Sequence, residues 1–198
     1  MRMTAIEKYF VNSSGHTLQV AHRAQQLLDQ IPIQAGWRYL DVGCGVGVAD
    51  CEIAKRYRLD VTGIDVDPGQ IEAARAREAN QRLRFMVMDA TKLQFHDAEF
   101  DIVTSSMVTH HMPDWERAFS EMIRVLRPGG YLIYSDFMLP SWLAAVGRLL
   151  IPFVGIPSTS RVESLASKAG LSKVYQLRAG LRLDFIWLRT NSDQAPTA

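Results

Sequence analysis

Cysteine is nearly absent from this 198-residue chain: Cys44 and Cys51 are the only two, and their spacing is not C-x-x-C. That excludes a disulfide scaffold and a thiolate metal cluster, and two reduced thiols in a cytoplasmic protein are expected. Excess charge of one sign is missing too, with 22 Lys and Arg against 21 Asp and Glu, a net charge of +1. No basic tract stands out, so no nucleic-acid partner is expected. No cluster of Asp, Glu or His has metal-ligand spacing, and no metal is expected. Long apolar runs are reduced to residues 142–157, "WLAAVGRLLIPFVGIP", which Arg148 and Pro152 interrupt. This falls short of the ~20 residues a spanning helix needs. The opening "MRMTAIEKYF" has no apolar core for a signal peptide.

What is present is ordinary globular material, 47% hydrophobic and 22% charged, enough for one domain with a real core. The periodicity of "GHTLQVAHRAQQLLDQI" predicts a helix before the first strand, Trp37 to Val42. A helix from about Gly47 to Tyr57 and a second strand, Leu59 to Ile64, follow. Asp67, Pro68 and Gln70 stand at the N-cap, N1 and N3 of a capping box, opening the next helix. "RLRFMVMD" and "FDIVTSS" read as strands three and four. Asp114 caps a helix from Trp115 to Leu126 that "PGG" stops, and "GYLIYSD" is strand five. A helix near Ser160 to Ala169 precedes two strands joined at Gly180, a connection so short that they must be antiparallel. The tail "NSDQAPTA" is expected to be disordered.

The strand-glycine-helix-strand-acid outline, "LDVGCGVGV" followed by "VTGID", is that of a nucleotide-binding βαβ unit. Gly43, Gly45 and Gly47 suit a turn that a ligand approaches closely. A pyrophosphate would be repelled by Asp41, two residues before the first glycine, and Gly47 comes one residue too early for G-x-G-x-x-G. A ligand bearing an ammonium and a sulfonium gains from that acid instead, and S-adenosyl-L-methionine has both.

"LDVGCGVG", "VTGIDVDPGQIEAAR", "MDATKLQFHDAEFDIV", "HHMPD" and "RVLRPGGYLIYSDF" together resemble the successive motifs of class I S-adenosylmethionine-dependent methyltransferases. The similarity is greatest to the small-molecule branch that includes quinone-biosynthesis methyltransferases, and it covers about residues 36 to 137. It implies an α/β, Rossmann-like, doubly wound seven-stranded sheet in the order 3-2-1-4-5-7-6, with strand 7 antiparallel and helices on both faces. The chain then divides into an N-terminal helical cap (1–36), a cofactor-binding core (37–136) and a substrate lid (137–160). A C-terminal helix with antiparallel strands (161–190) and a tail (191–198) complete it.

On this resemblance Asp41, Gly43, Gly45 and Gly47 cradle the methionine end of the cofactor, with Cys44 a small filler in the turn. Asp65 accepts from the ribose hydroxyls, beside Val66. Asp89 accepts from the adenine amino group and the Ala90 amide reads the ring. Ser105 and Ser106 lie beneath the cofactor at the end of strand four. His110 and His111 are the paired ionisable groups nearest the expected methyl position, where either is placed for a general base. His111, which matches the family's histidine before "M-P-D", is favoured as a structural support of its loop, leaving His110 nearly neutral. Trp142, Leu143, Val146, Leu149, Leu150 and Phe153 make residues 141–153 an apolar lid, favoured over contact with a membrane surface.

The expected function is methyl transfer to a small molecule, an apolar one among the candidates, by direct in-line displacement. A non-catalytic cofactor-binding protein on the same fold and, further off, a nicotinamide oxidoreductase are the alternatives. The acceptor, the element methylated and the oligomeric state are not legible.

Overall fold

A computed structural model describes residues 14–77, 81–140, 155 and 157–190. The expected lid at 141–153, the first 13 residues of the expected cap and the tail at 191–198 lie outside the described residues. Two compact units divide the chain, Met1–Ala90 and Thr91–Ala198.

In the first unit, helix α1 (Ser14–Leu28) precedes β1 (Arg38–Val42), α2 (Val48–Tyr57), β2 (Asp60–Asp65), α3 (Pro68–Arg75) and β3 (Leu83–Val87). β1 pairs parallel with β2, and β2 parallel with β3. Parallel strands covered by helices are apolar on both faces, and Leu40, Val42, Val61 and Ile64 are all buried. α2 starts where the chain turns left-handed at Gly47, φ 70°. α3 begins as expected, with Asp67 accepting from the Gly69 amide at 2.9 Å and Pro68 at N1. The Asp67 amide donates to Asp65 Oδ1 at 2.9 Å, so the cap and the acid ending β2 are one hydrogen-bonded piece.

The second unit holds β4 (Phe100–Ser106), a single 3-10 turn (Thr109–His111), α4 (Trp115–Val125), β5 (Leu126–Phe137), α5 (Thr159–Lys168), β6 (Leu171–Ala179) and β7 (Arg182–Arg189). α4 buries Trp115, Ala118, Phe119, Met122, Ile123 and Val125, the i, i+3, i+4, i+7 stripe of a core-facing helix. Phe119 sets its ring edge-on to Tyr134 of β5, centroids 5.2 Å apart, which fixes where the Tyr134 hydroxyl ends. Asp114 precedes α4 but makes no side-chain cap bond. β5 pairs parallel with β4 and antiparallel with β7, and β7 antiparallel with β6.

The seven strands take the order β3-β2-β1-β4-β5-β7-β6, the doubly wound order expected, with β7 antiparallel to its neighbours. One boundary differs. Leu126 already pairs with Phe100, and the Arg127–Gly130 stretch is taken up as a register shift between Phe100 and Ile102. The Pro-Gly-Gly punctuation therefore lies inside β5 instead of separating it from the helix. No described helix is long and apolar enough to cross a membrane.

Gly47 is the tightest point of the first unit. A Cβ there would stand 2.4 Å from Phe85 Cζ and 3.0 Å from the Ala74 Cβ, on a backbone already at φ +70°. Gly47→Ala is expected to lower stability by about 1–3 kcal/mol through overpacking and backbone strain. Urea denaturation checks this, and an unchanged midpoint would contradict the packing described.

Candidate active site

The first unit brings together most of the residues predicted to hold a cofactor. β1 ends at Val42, and the amides of Gly43 and Cys44 both donate to the Ile64 carbonyl, at 2.8 and 2.9 Å. The turn is thereby stitched to the end of β2. Gly43, Gly45 and Gly47 have φ of 87°, 55° and 70°, the left-handed region that glycine occupies without strain. The Gly45 amide donates to Asp65 Oδ2 at 3.1 Å. With the Asp67 amide on Oδ1, each oxygen of Asp65 carries one backbone donor and keeps lone pairs for more. The sequence left Asp65 free of the helix cap; here it supports both cap and turn. Burial outweighs these bonds and raises the Asp65 carboxyl from its usual range.

Val66, directly after Asp65, is 46% exposed, and Val87 at the end of β3 is 48% exposed. Such apolar surface beside a carboxylate suits a flat ring. The Met88 amide donates to the Asp65 carbonyl at 3.0 Å, which brings Asp89 and Ala90 to the end of β2. Asp89 is exposed and Ala90 buried. Cys44 faces three acids: burial first, then Asp50, Asp41 and Asp65, push its thiol well up. It stays protonated and is no nucleophile.

Asp50 escaped the sequence reading. It sits in the first turn of α2, fully buried, and neither carboxyl oxygen has a hydrogen bond among the described residues. Burial and the Asp41 carboxyl together push it well above the usual carboxylate range. The signal was an acid in the helical stretch "VADCEIA", three residues before the buried Ile53.

The second unit holds Ser105, Ser106, His110 and His111. Ser105 is buried with no hydrogen bond on its Oγ among the described residues, and Ser106 pairs with Ser135 of β5. The histidines occupy the 3-10 turn, and their rings do not diverge as adjacent side chains on an extended segment would. The turn sets their centroids 4.0 Å apart at 42°. His110 is anchored by a buried acid. Its Nδ1 lies 2.6 Å from Asp136 Oδ1, with Asp136 fully buried and the imidazole 19% exposed.

Asp136 closes β5 and collects further donors. Its Oδ2 accepts from the amides of Thr109 and His110 at 2.8 and 3.2 Å and from the Thr109 hydroxyl at 2.5 Å. Its Oδ1 also accepts from the Phe137 amide at 2.7 Å. Since the Thr109 proton points at Asp136, the Tyr134 hydroxyl donates to Thr109 Oγ1. Burial, and next the Asp136 charge, raise the Tyr134 phenol well above its ordinary value, so it remains a neutral donor. A carboxylate so surrounded acts as acceptor, and His110 carries its proton on Nδ1. Phe137 meets the His110 ring edge-on at 5.4 Å. Asp136, Thr109 and Tyr134 were all missed; an acid closing the apolar run "YLIYSD" was the available sign.

Residues 40–134 match the methyltransferase domain family. Over that stretch the chain resembles the class I S-adenosylmethionine-dependent methyltransferases. It is 39% identical over 118 residues to 27-O-demethylrifamycin SV methyltransferase of Amycolatopsis mediterranei, covering 58% of this chain and 43% of that one. It is 35% identical over 148 residues to 2-methyl-6-phytyl-1,4-hydroquinone methyltransferase of Synechocystis, covering 70% and 46%. The chain thus spans about half the length of the curated relatives it matches. A solved geranyl diphosphate methyltransferase in complex with S-adenosylmethionine shares the fold, with TM-score 0.71 at 17% identity over 90% of this chain and 92% of that one.

The methyltransferase cofactor fits the first unit. A Cβ placed on Gly45 would meet nothing within 4 Å, so the turn opens onto free space with acids at its rim and no phosphate-like partner. Asp41 and the glycine turn would hold the cationic amino-acid end. Asp65 would hold the ribose hydroxyls, and Val66 with the 89–90 backbone the adenine.

Asp65→Ala is expected to weaken S-adenosylhomocysteine binding by ~1.5–3 kcal/mol, about ten- to 150-fold, the loss of charged hydrogen bonds. It should also lower the melting temperature, because the Gly45 and Asp67 amides lose their acceptor. Calorimetry and a thermal melt check both; unchanged affinity would remove Asp65 from the site.

Proposed function

We propose that this protein transfers the methyl group of S-adenosylmethionine to a hydroxyl of a small molecule, with His110 as the general base. The observation that carries the reading is the His110–Asp136 pair. A methyl acceptor that is already a good nucleophile needs positioning alone, whereas an alcohol or phenol must shed a proton as it attacks. A histidine whose Nδ1–H is held by a buried carboxylate keeps Nε2 as acceptor and is oriented to take that proton.

When bound, S-adenosylmethionine supplies an electrophilic methyl on a sulfonium. The chain's own residues do the remainder. The His110 Nε2, engaged by no described residue, takes the hydroxyl proton. Asp136 holds Nδ1–H, fixes the tautomer and stabilises the imidazolium that forms. Thr109 and Tyr134 lock the carboxylate so that it does not reorganise during the reaction. The relatives support a small acceptor: one is named for 27-O-demethylrifamycin SV and one for 2-methyl-6-phytyl-1,4-hydroquinone.

The single variants His110→Ala and His111→Ala separate the roles. A panel of phenols, hydroquinones and long-chain alcohols, with cofactor labelled in the methyl group, supplies the assay. His110→Ala is expected to lose ~10²- to 10⁴-fold in kcat with S-adenosylhomocysteine affinity retained, and His111→Ala far less. Full turnover by His110→Ala on a hydroxyl acceptor would contradict the proposal.

A further inference from the structure

Asp50 has no place in the chemistry above, yet it is a carboxyl group that the fold has taken out of water. It stands at the third position of α2, where an acid ordinarily reaches back to the N-cap amide. That partner is taken: the Gly47 amide donates to the Cys44 carbonyl at 3.0 Å. Asp50 is 0% exposed and neither of its oxygens has a geometrically sound hydrogen bond among the described residues. A buried carboxylate without a partner is among the costliest groups a protein can hold, and here a helix turn could have carried an apolar residue instead.

Its surroundings show where it faces. Asp50 is the strongest charge acting on the Cys44 thiol, and Asp41 the charge acting on Asp50. The carboxyl is buried in the first turn of the helix that follows the glycine turn, within the field of the β1 acid and away from solvent. The ionisable groups on the surrounding elements are Arg38, Tyr39 and Asp41 on β1, Asp60 and Asp65 on β2, Arg84 on β3, and His22 and Arg23 on α1. Asp60 is paired with Arg82, and Arg84 with the Thr62 hydroxyl. Cys51, Glu52, Lys55, Arg56 and Tyr57 lie on α2 itself. None of these adds a cation that acts on Asp50.

We propose that Asp41 and Asp50 form a carboxyl pair that holds one proton in the free protein and exchanges it for the ammonium of a bound amino-acid end. This rests on the cofactor reading above and adds a second acid and a proton to it. The balance is simple. The singly protonated pair carries one negative charge. When an ammonium docks, the shared proton leaves to solvent, and two carboxylates with one ammonium again sum to one negative charge. The pair thus selects ligands that bring their own cation, and rejects the nucleoside alone.

Calorimetry near neutral pH, repeated in two buffers of different ionisation enthalpy, counts the protons. The probes are S-adenosylhomocysteine and 5′-methylthioadenosine, the same thioether nucleoside without the amino acid. Wild type is expected to release about one proton with the first and none with the second. Asp50→Asn is expected to release none with either and to bind S-adenosylhomocysteine at least tenfold more weakly. Its fold has a separate control with a definite sign. Because the folded state holds the Asp50 proton more tightly than the unfolded chain, wild-type stability falls as pH rises above the ordinary carboxylate range. The Asn variant, with no charge to bury, should melt higher than wild type at neutral pH and lose that advantage in acid. S-adenosylhomocysteine binding without proton release, or with wild-type affinity in Asp50→Asn, would overturn this inference alone. Failure of folded wild type to bind either probe would overturn the cofactor reading with it.

Discussion

A carboxylate cannot be left dry without donors, and the second unit is organised around that constraint at Asp136. Five hydrogen bonds converge on it, from the amides of Thr109, His110 and Phe137, the Thr109 hydroxyl and the His110 ring. Two of those amides belong to the 3-10 turn, so the charge that orients the imidazole also holds the backbone carrying it. Removing any single donor leaves the others, which makes the arrangement stiff. Tyr134, fixed by its packing on Phe119, extends the same network into the core through Thr109. Stiffness at this place is what a base requires, since a ring free to rotate would present its nitrogen only part of the time.

The first unit applies the same constraint differently. Asp65 is stabilised by two backbone amides and keeps spare acceptor capacity, the condition for binding hydroxyl groups. Asp50 has no donor among the described residues and, on the inference drawn above, stays uncharged until something cationic arrives. One acid is prepared by the fold and the other is left for the ligand to complete. The glycine turn makes both possible, since its three left-handed residues bring the Gly45 amide onto Asp65 while leaving open space above.

The sheet was legible because its signals are local. Apolar runs, glycine turns and the Asp67–Pro68 cap each depend on a few adjacent residues, and the strand order followed from the resemblance those motifs carry. The start of β5 was not legible. Pro-Gly-Gly stops a helix by local rules, but the pairing of Leu126 with Phe100 is a tertiary contact that absorbs the irregularity. The same distinction separates the acids. Asp41 and Asp65 flank a motif and announce themselves, whereas the worth of Asp136 depends on donors lying more than twenty residues earlier in the chain. Asp50 looked like any polar residue of a helix until its burial was known. For the histidines, the 3-10 turn brings His110 onto Asp136 of β5, a contact no local signal announced.

The account stands most directly on the protonation of one ring, that Asp136 holds His110 as the Nδ1–H tautomer with Nε2 free to accept. Long-range proton–nitrogen correlation spectra of the neutral His110 imidazole report this without any substrate. The account predicts a protonated Nδ1 and a bare Nε2. A ring protonated on Nε2, with Nδ1 bare, would contradict it.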